Sequence, residues 1–332
     1  MKRPLRSLRA QRGVAVVTAL LLTTLAVTIV ASLFWQQQVQ VRSIENQRLQ
    51  LQKNWIMRGA LDWASMILRA SSKQFQYDYL GQPWAAPLAD TRLDQYVEDG
   101  QAVGDAGDAI LSGNIVDAQS RYNLNNLSVN GSPSADEVLA FKRLLSSLRL
   151  PATLATAAAQ AIAQGLPAAP SAPPPVPGQQ TTATATASAT LPMLQVDDLL
   201  SVPGFTPDIV RQLKDYVVVL PWTGGPTPIN ANTASAEVLA SRFPNLSLAQ
   251  ATTLVAMRRT APFTDVPNFT AQMLNLFQIS VPDTAKIAVS SNFFLVYGKI
   301  RMGRAALNTV SLLNRITSGP SSSTNIVWIR EQ

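Results

Sequence analysis

The chain of 332 residues contains no cysteine and no histidine. The first absence excludes disulfides, thiol nucleophiles and thiolate metal sites. The second removes imidazole ligands and every Ser/His or Cys/His catalytic pair. An enzyme would have to rely on paired carboxylates or a Ser/Lys arrangement. The sequence shows no close acidic pair set among apolar residues, no Gly-rich phosphate loop and no nucleophile elbow, so catalysis is not expected. Charge is scarce as well, at 14% of residues, but the 47% hydrophobic content is enough for a real core and excludes a disordered chain.

What is present begins with a long apolar run. From Val14 to Phe34 the chain has 21 residues without a charge, enough at about 1.5 Å per residue to cross a hydrocarbon core of roughly 30 Å. That is too long for the apolar part of a removable signal peptide. Ahead of it lie Lys2, Arg3, Arg6, Arg9 and Arg12 with no acidic residue, which places the N-terminus in the cytoplasm and the remainder on the exported side. Those five account for much of the net charge of +7 and the pI of 9.9. Beyond them, 22 basic side chains face 20 acidic ones. The basic balance therefore reports membrane topology more than a polyanionic partner. A plain signal anchor fits these features. The small residue Gly13, directly after Gln11-Arg12 and before the apolar run, also resembles a prepilin leader. There an inner-membrane peptidase cuts after Gly and the helix stays as the mature N-terminus.

After the run, WQQQVQVRSIENQRLQLQKNWIMRGALDWASMILRA has no proline and one glycine, Gly59. Ile44, Leu51, Trp55, Trp63 and Ile67 recur on one helical face. This predicts one helix over 14–70, half in lipid and half forming the spine of a soluble domain; a separate second helix is the alternative. Residues 79–107 are turn-rich. Ile110 to Val116 suits a short strand, and DAQSRYNLNNL (Asp117 to Leu127) a polar, Asn-rich turn. Ser134 to Arg149 reads as a helix with Asp136 and Glu137 at its start. Prolines and a Thr/Ala run make 166–191 a disordered surface loop. Between 193 and 282, VDDLLSVPGFTPDIVRQLKDYV and PINANTASAEVLASRFPNLSLAQATTLVAMRR each resemble a helix-hairpin-helix, turning at Pro203-Gly204 and Pro244-Asn245. Asn232 and Thr233 are placed to cap a helix from about Ala234. The closing residues, 283–332, carry β-branched and aromatic residues with a partial period of two, the signature of an antiparallel meander. The pattern is α+β, with an all-helical insertion over 131–282 separating a first part at 71–130 from the last strands.

QRGVAVVTALLL, RYNLNNL, VDDLLSVPGF, INANTASAEVLA and SNFFLVYGKIRMG occur in an order that resembles the type K minor pseudopilins of type II secretion, the GspK family. The resemblance spans nearly the whole chain. It implies a leader of residues 1–13 cut by prepilin peptidase after Gly13, with Val14 as the mature start. It also implies an inner-membrane helix, a pseudopilin sheet and a helical insertion of SAM-like or helix-hairpin-helix type. The implied partners are the I-type and J-type minor pseudopilins, GspI and GspJ, at the tip of the pseudopilus. Stacked pseudopilins carry Glu at the fifth mature position, where this chain has Thr18.

The resemblance also raises calcium, reported for the family together with acidic stretches in the helical domain. Between Leu150 and Leu191 this chain has no carboxylate, although calcium takes 6 to 8 oxygens, several of them usually carboxylates. Asp105, Asp108 and Asp117 remain as candidates, but Asp in turns is more often structural, and no metal ligand is assigned. A membrane-anchored DNA-binding protein of competence type is the runner-up, because its hairpins share an Asn-x-Asn-Thr-Ala lead-in. Such hairpins hold phosphates on backbone N–H groups of a Gly-x-Gly turn. Here the turns read Gly204-Phe205-Thr206 and Asn245-Leu246-Ser247, and only Arg258 and Arg259 form a basic pair nearby. Nucleic acid is not expected.

Overall fold

A run of apolar residues without proline satisfies its backbone internally only as a helix. In the computed structural model, which describes residues 12–93, 109–165, 191–302, 305–317 and 323–332, that helix is α1, Arg12–Gln74. Among the described residues it is the one helix long and apolar enough to cross a membrane. The chain divides into two units, 1–56 and 57–332, and α1 supplies all that is described of the first. There the apolar side chains from Val16 to Phe34 are exposed, as a lipid-facing surface requires. Residues 166–190 of the loop expected over 166–191, and Asp105 and Asp108, lie outside the described residues.

The second unit is built on a five-stranded antiparallel sheet. Its strands are β1 (Leu88–Arg92), β2 (Ile110–Asp117), β3 (Phe293–Met302), β4 (Ala305–Ile316) and β5 (Ser323–Glu331), in the spatial order β1-β2-β3-β4-β5. β1 falls in the stretch read as turn-rich, where no strand is expected. Met57, Leu61, Ala64 and Leu68, spaced 4, 3 and 4 along α1, are buried and form the stripe that packs on the sheet. Gly113 and Gly298 face each other across β2 and β3. The Met57 methyl lies 2.9 Å from where a Gly298 Cβ would stand, and the Thr309 hydroxyl meets the Met57 sulfur at 3.1 Å. Gly298 thus lets strand and helix approach closely.

The six other described α-helices all enter between β2 and β3: α2 (Ala135–Ser147), α3 (Leu154–Gly165), α4 (Pro207–Leu213), α5 (Ala236–Arg242), α6 (Leu248–Met257) and α7 (Val266–Phe277). They share one apolar core with Tyr122, Leu124 and Leu127. Tyr122 stacks on Phe141 of α2 at 5.3 Å, and Phe263 and Phe269 meet edge-to-face at 5.1 Å. Two expectations need correction. Val196–Ser201 forms a 3-10 helix rather than an α-helix, because Pro203 follows too closely for another turn to form. The cap of α5 is Ser235, whose hydroxyl accepts from the Val238 N–H; Asn232 and Thr233 bond elsewhere.

The two ends of the close-packing scale give a test. A Cβ at Gly113 would stand 2.2 Å from the Tyr297 carbonyl oxygen, whereas Gly59 in α1 has nothing within 4 Å. Gly113→Ala should cost about 3 kcal/mol, because backbone must part, and Gly59→Ala should add about 1 kcal/mol of helix stability. Urea unfolding of the detergent-solubilised protein checks both signs.

Candidate functional site

The residues with the most distinctive spacing, RYNLNNL and INANTA, turn out to be interior clamps. Asn123, Asn125 and Asn126 are buried, and their amides do what strand neighbours otherwise do for the facing backbone. Asn123 Oδ1 accepts from the Leu220 N–H at 3.0 Å, Asn125 Nδ2 donates to the Leu220 carbonyl at 2.8 Å, and Asn126 pairs with both the N–H and the carbonyl of Thr227 at 2.8 and 2.9 Å. Asn232 does the same for Phe263, donating and accepting at 2.8 Å. An irregular segment buried without such partners would carry unpaired backbone groups at a cost of about 1–3 kcal/mol each. The expected polar turn lies buried, which its amides allow because each carries both donor and acceptor.

A separate polar cluster gathers on Asp117 at the end of β2. Its Oδ1 accepts from the Gln119 N–H at 2.8 Å. Its Oδ2 accepts from Asn230 Nδ2 at 2.9 Å, the Thr233 hydroxyl at 2.6 Å and the Ser291 hydroxyl at 2.7 Å. Beside it, Asp78, which follows α1, accepts from the Ser291 N–H at 2.8 Å and pairs with the buried Arg315 of β4. Arg315 also donates to the Leu68 and Ser291 carbonyls and lies over the Phe294 ring. Burial pushes the Asp117 carboxyl up to about 6, with the nearby Asp78 charge adding to the rise and the Thr233, Ser291 and Gln119 hydrogen bonds opposing it. With its lone pairs taken by the protein's own donors, Asp117 is no calcium ligand. No group of three or more acidic residues suited to a metal occurs among the described residues.

The residues expected at the N-terminus lie in the first turns of α1. Arg12, Gly13 and Val14 begin the helix, and the Thr18 hydroxyl turns back to the Ala15 carbonyl at 3.0 Å, satisfying itself in an apolar environment. The hairpins offer little to a phosphate. Phe205 and Leu246 are buried at the two turns, the Thr206 and Ser247 hydroxyls cap α4 and α6, and the buried Arg258 donates to the Ala231 carbonyl at 2.6 Å. What sequence reasoning missed is the long-range pairing of Asp117, Asp78 and Arg315. No local pattern signals contacts more than a hundred residues apart.

Comparison with known proteins agrees with this architecture. Two models of type II secretion system protein K match, one over residues 120–222 and one over 229–290. Type II secretion system protein K of Pseudomonas aeruginosa PAO1 is 29% identical over 94% of this chain and 91% of its own length. The Pectobacterium carotovorum protein of the same description is 27% identical over 92% of each. A chain in the crystal structure of the GspK-GspI-GspJ complex from enterotoxigenic Escherichia coli superposes with a TM-score of 0.62, covering 88% of this chain and 99% of that one at 23% identity. The apolar N-terminal helix continuing onto an antiparallel sheet, together with these matches, defines a minor pseudopilin of a type II secretion system. The chain belongs to the protein K family of that system.

The raised Asp117 value sets a pH dependence. Between its ordinary 3.8 and about 6 the folded chain holds a proton that the unfolded chain releases. This contribution to stability is therefore full below about pH 4 and lost as pH rises through 6. Relative to the non-titrating Asp117→Asn variant, the native protein should lose roughly 3 kcal/mol between pH 4 and 7. Paired urea titrations at the two pH values measure the difference.

Proposed function

We propose that this protein is the tip subunit of the pseudopilus, joining the I-type and J-type minor pseudopilins and starting assembly of the filament that drives folded proteins through the outer membrane. The observation that carries the reading is Thr18. Counted from Val14 it is the fifth residue, where stacked pseudopilins offer a carboxylate to the charged N-terminal amine of the subunit ahead. An unpaired charge in lipid or in a packed helix bundle costs several kcal/mol, so a chain without that carboxylate suits the position with nothing ahead of it. The helices entering between β2 and β3 support the same reading, since their bulk obstructs a regular stack but caps an end. The complex in which the E. coli relative was solved, with GspI and GspJ, supports those two partners.

The membrane reading is part of the proposal. The basic head stays cytoplasmic, prepilin peptidase cuts after Gly13, and α1 anchors the mature protein in the inner membrane with its folded body in the periplasm. The competence-type reading loses its basic pair, since Arg258 is committed to the Ala231 carbonyl.

Two experiments test this. Gly13→Leu puts a bulky side chain where the peptidase accepts Gly, and should leave a full-length, unassembled precursor; N-terminal sequencing of membrane extracts should read Val14 in the native protein and Met1 in the variant. Pull-down with the I-type and J-type subunits should recover a complex, and a label near Thr181 should appear in electron micrographs at one filament end. Label spread along the filament, or no complex, refutes the tip position.

A further inference from the structure

The helical region, residues 135–282, holds eight carboxylates, and the structure accounts for most of them. Glu137 is bound by Arg242, Asp197 by Lys214 at 2.8 Å, and Asp208 by Arg211. Asp198 accepts from the Leu194 and Gln195 N–H groups, and Asp265 caps α7 through the Asn268 N–H. Asp136 lies in the first turn of α2, while Asp215 and Glu237 act together on Tyr216, raising its pKa after desolvation. No three of these converge as a metal site, and calcium takes 6 to 8 oxygens. The donor set does not fit the calcium that the family resemblance implies.

What stands in a cation's place is a side chain. The Arg242 guanidinium, at the end of α5, is almost fully buried with Glu137 of α2. It donates to Glu137 Oε2 at 2.6 Å and Oε1 at 2.8 Å, and to the carbonyls of Ala285 at 2.7 Å and Thr284 at 3.1 Å. The Tyr122 hydroxyl adds a donor to Glu137 at 2.9 Å. A bidentate carboxylate and two backbone carbonyls are the oxygen types that calcium gathers. Here a planar, permanently charged fork gathers them instead, tying α2, α5 and the segment leading back to β3.

From this we infer that the helical region of this chain is closed by the Arg242 guanidinium as its built-in cation and requires no divalent metal. The detergent-solubilised full chain, dialysed against EDTA, is compared with and without millimolar calcium for melting temperature and for retained metal by atomic absorption. The expected result is a melting temperature unchanged within about 1 °C and no stoichiometric calcium. A rise of about 5 °C or more with one ion retained per chain overturns the inference if it survives conversion of Asp94, Glu98, Asp99, Asp105 and Asp108 to their amides. Calcium abolished by those changes lies outside the helical region and upholds it. Arg242→Met, which leaves Glu137 buried without its cation, should lower the melting temperature by about 10 °C, with Arg242→Lys intermediate. Recovery of Arg242→Met on adding calcium, with the native chain unmoved, would show the same oxygens taking a metal once the guanidinium is gone and so uphold the inference; should that variant not fold, the native comparison still decides.

Discussion

One buried carboxylate sets the geometry on which the rest of the second unit depends. Asp117 closes β2, and the four donors it accepts come from its own following turn, from the Asn230-Thr233 stretch and from Ser291 just ahead of β3. The chain leaves the sheet at Asp117 and returns at Ser291, so this cluster is where both crossings between sheet and helices are tied. Asp78 and Arg315 extend it to the end of α1 and to β4. A charge held this way without a direct ion-pair partner is costly, and the raised carboxyl reflects that cost. The return is positional: four directed bonds fix an orientation that apolar contact alone leaves loose.

The same logic explains why asparagine dominates the distinctive motifs. Sheet and helices meet through segments too short and irregular for long ladders. Among the described residues the parallel links are two-residue pairs, Tyr122–Asn123 with Val217–Val218 and Ile229–Asn230 with Ile287–Ala288. Side-chain amides complete the hydrogen bonding that the missing strands would provide. Buried arginines do comparable work at longer reach, each gathering carbonyls and, for Arg242 and Arg315, a carboxylate. The interior is thus held by fixed polar groups. The RYNLNNL and INANTA motifs act inside the fold.

Much was legible in the residues themselves. A run of 21 uncharged residues behind a basic head has one economical solution in lipid, and the absence of proline through Ala70 carries the helix onward, to Gln74 in the structure. Period-two strands near the C-terminus and the helix from Ser134 are local patterns, and α2, β3, β4 and β5 lie where those patterns place them. Composition alone removed thiol and imidazole chemistry, and motif order pointed to the family. These properties depend on neighbours within a few residues, where propensity and periodicity act directly.

Tertiary structure decided the rest. Leu88–Arg92 is a strand because β2 offers it an edge, against its turn-rich surroundings. Asn232 and Thr233 satisfy every local rule for a helix cap, yet they bond to Phe263 and Asp117 because those groups are brought near by the fold. Whether an Asp is a solvated turn residue, a metal ligand or a saturated hub depends on which donors arrive from distant parts of the chain. Arg242 likewise becomes a structural cation only once α2 and the Thr284-Ala285 carbonyls surround it. The sequence determined the membrane helix, the elements and the family, because those follow from short-range patterning; the roles of its buried charges were set by long-range packing, which local spacing does not encode.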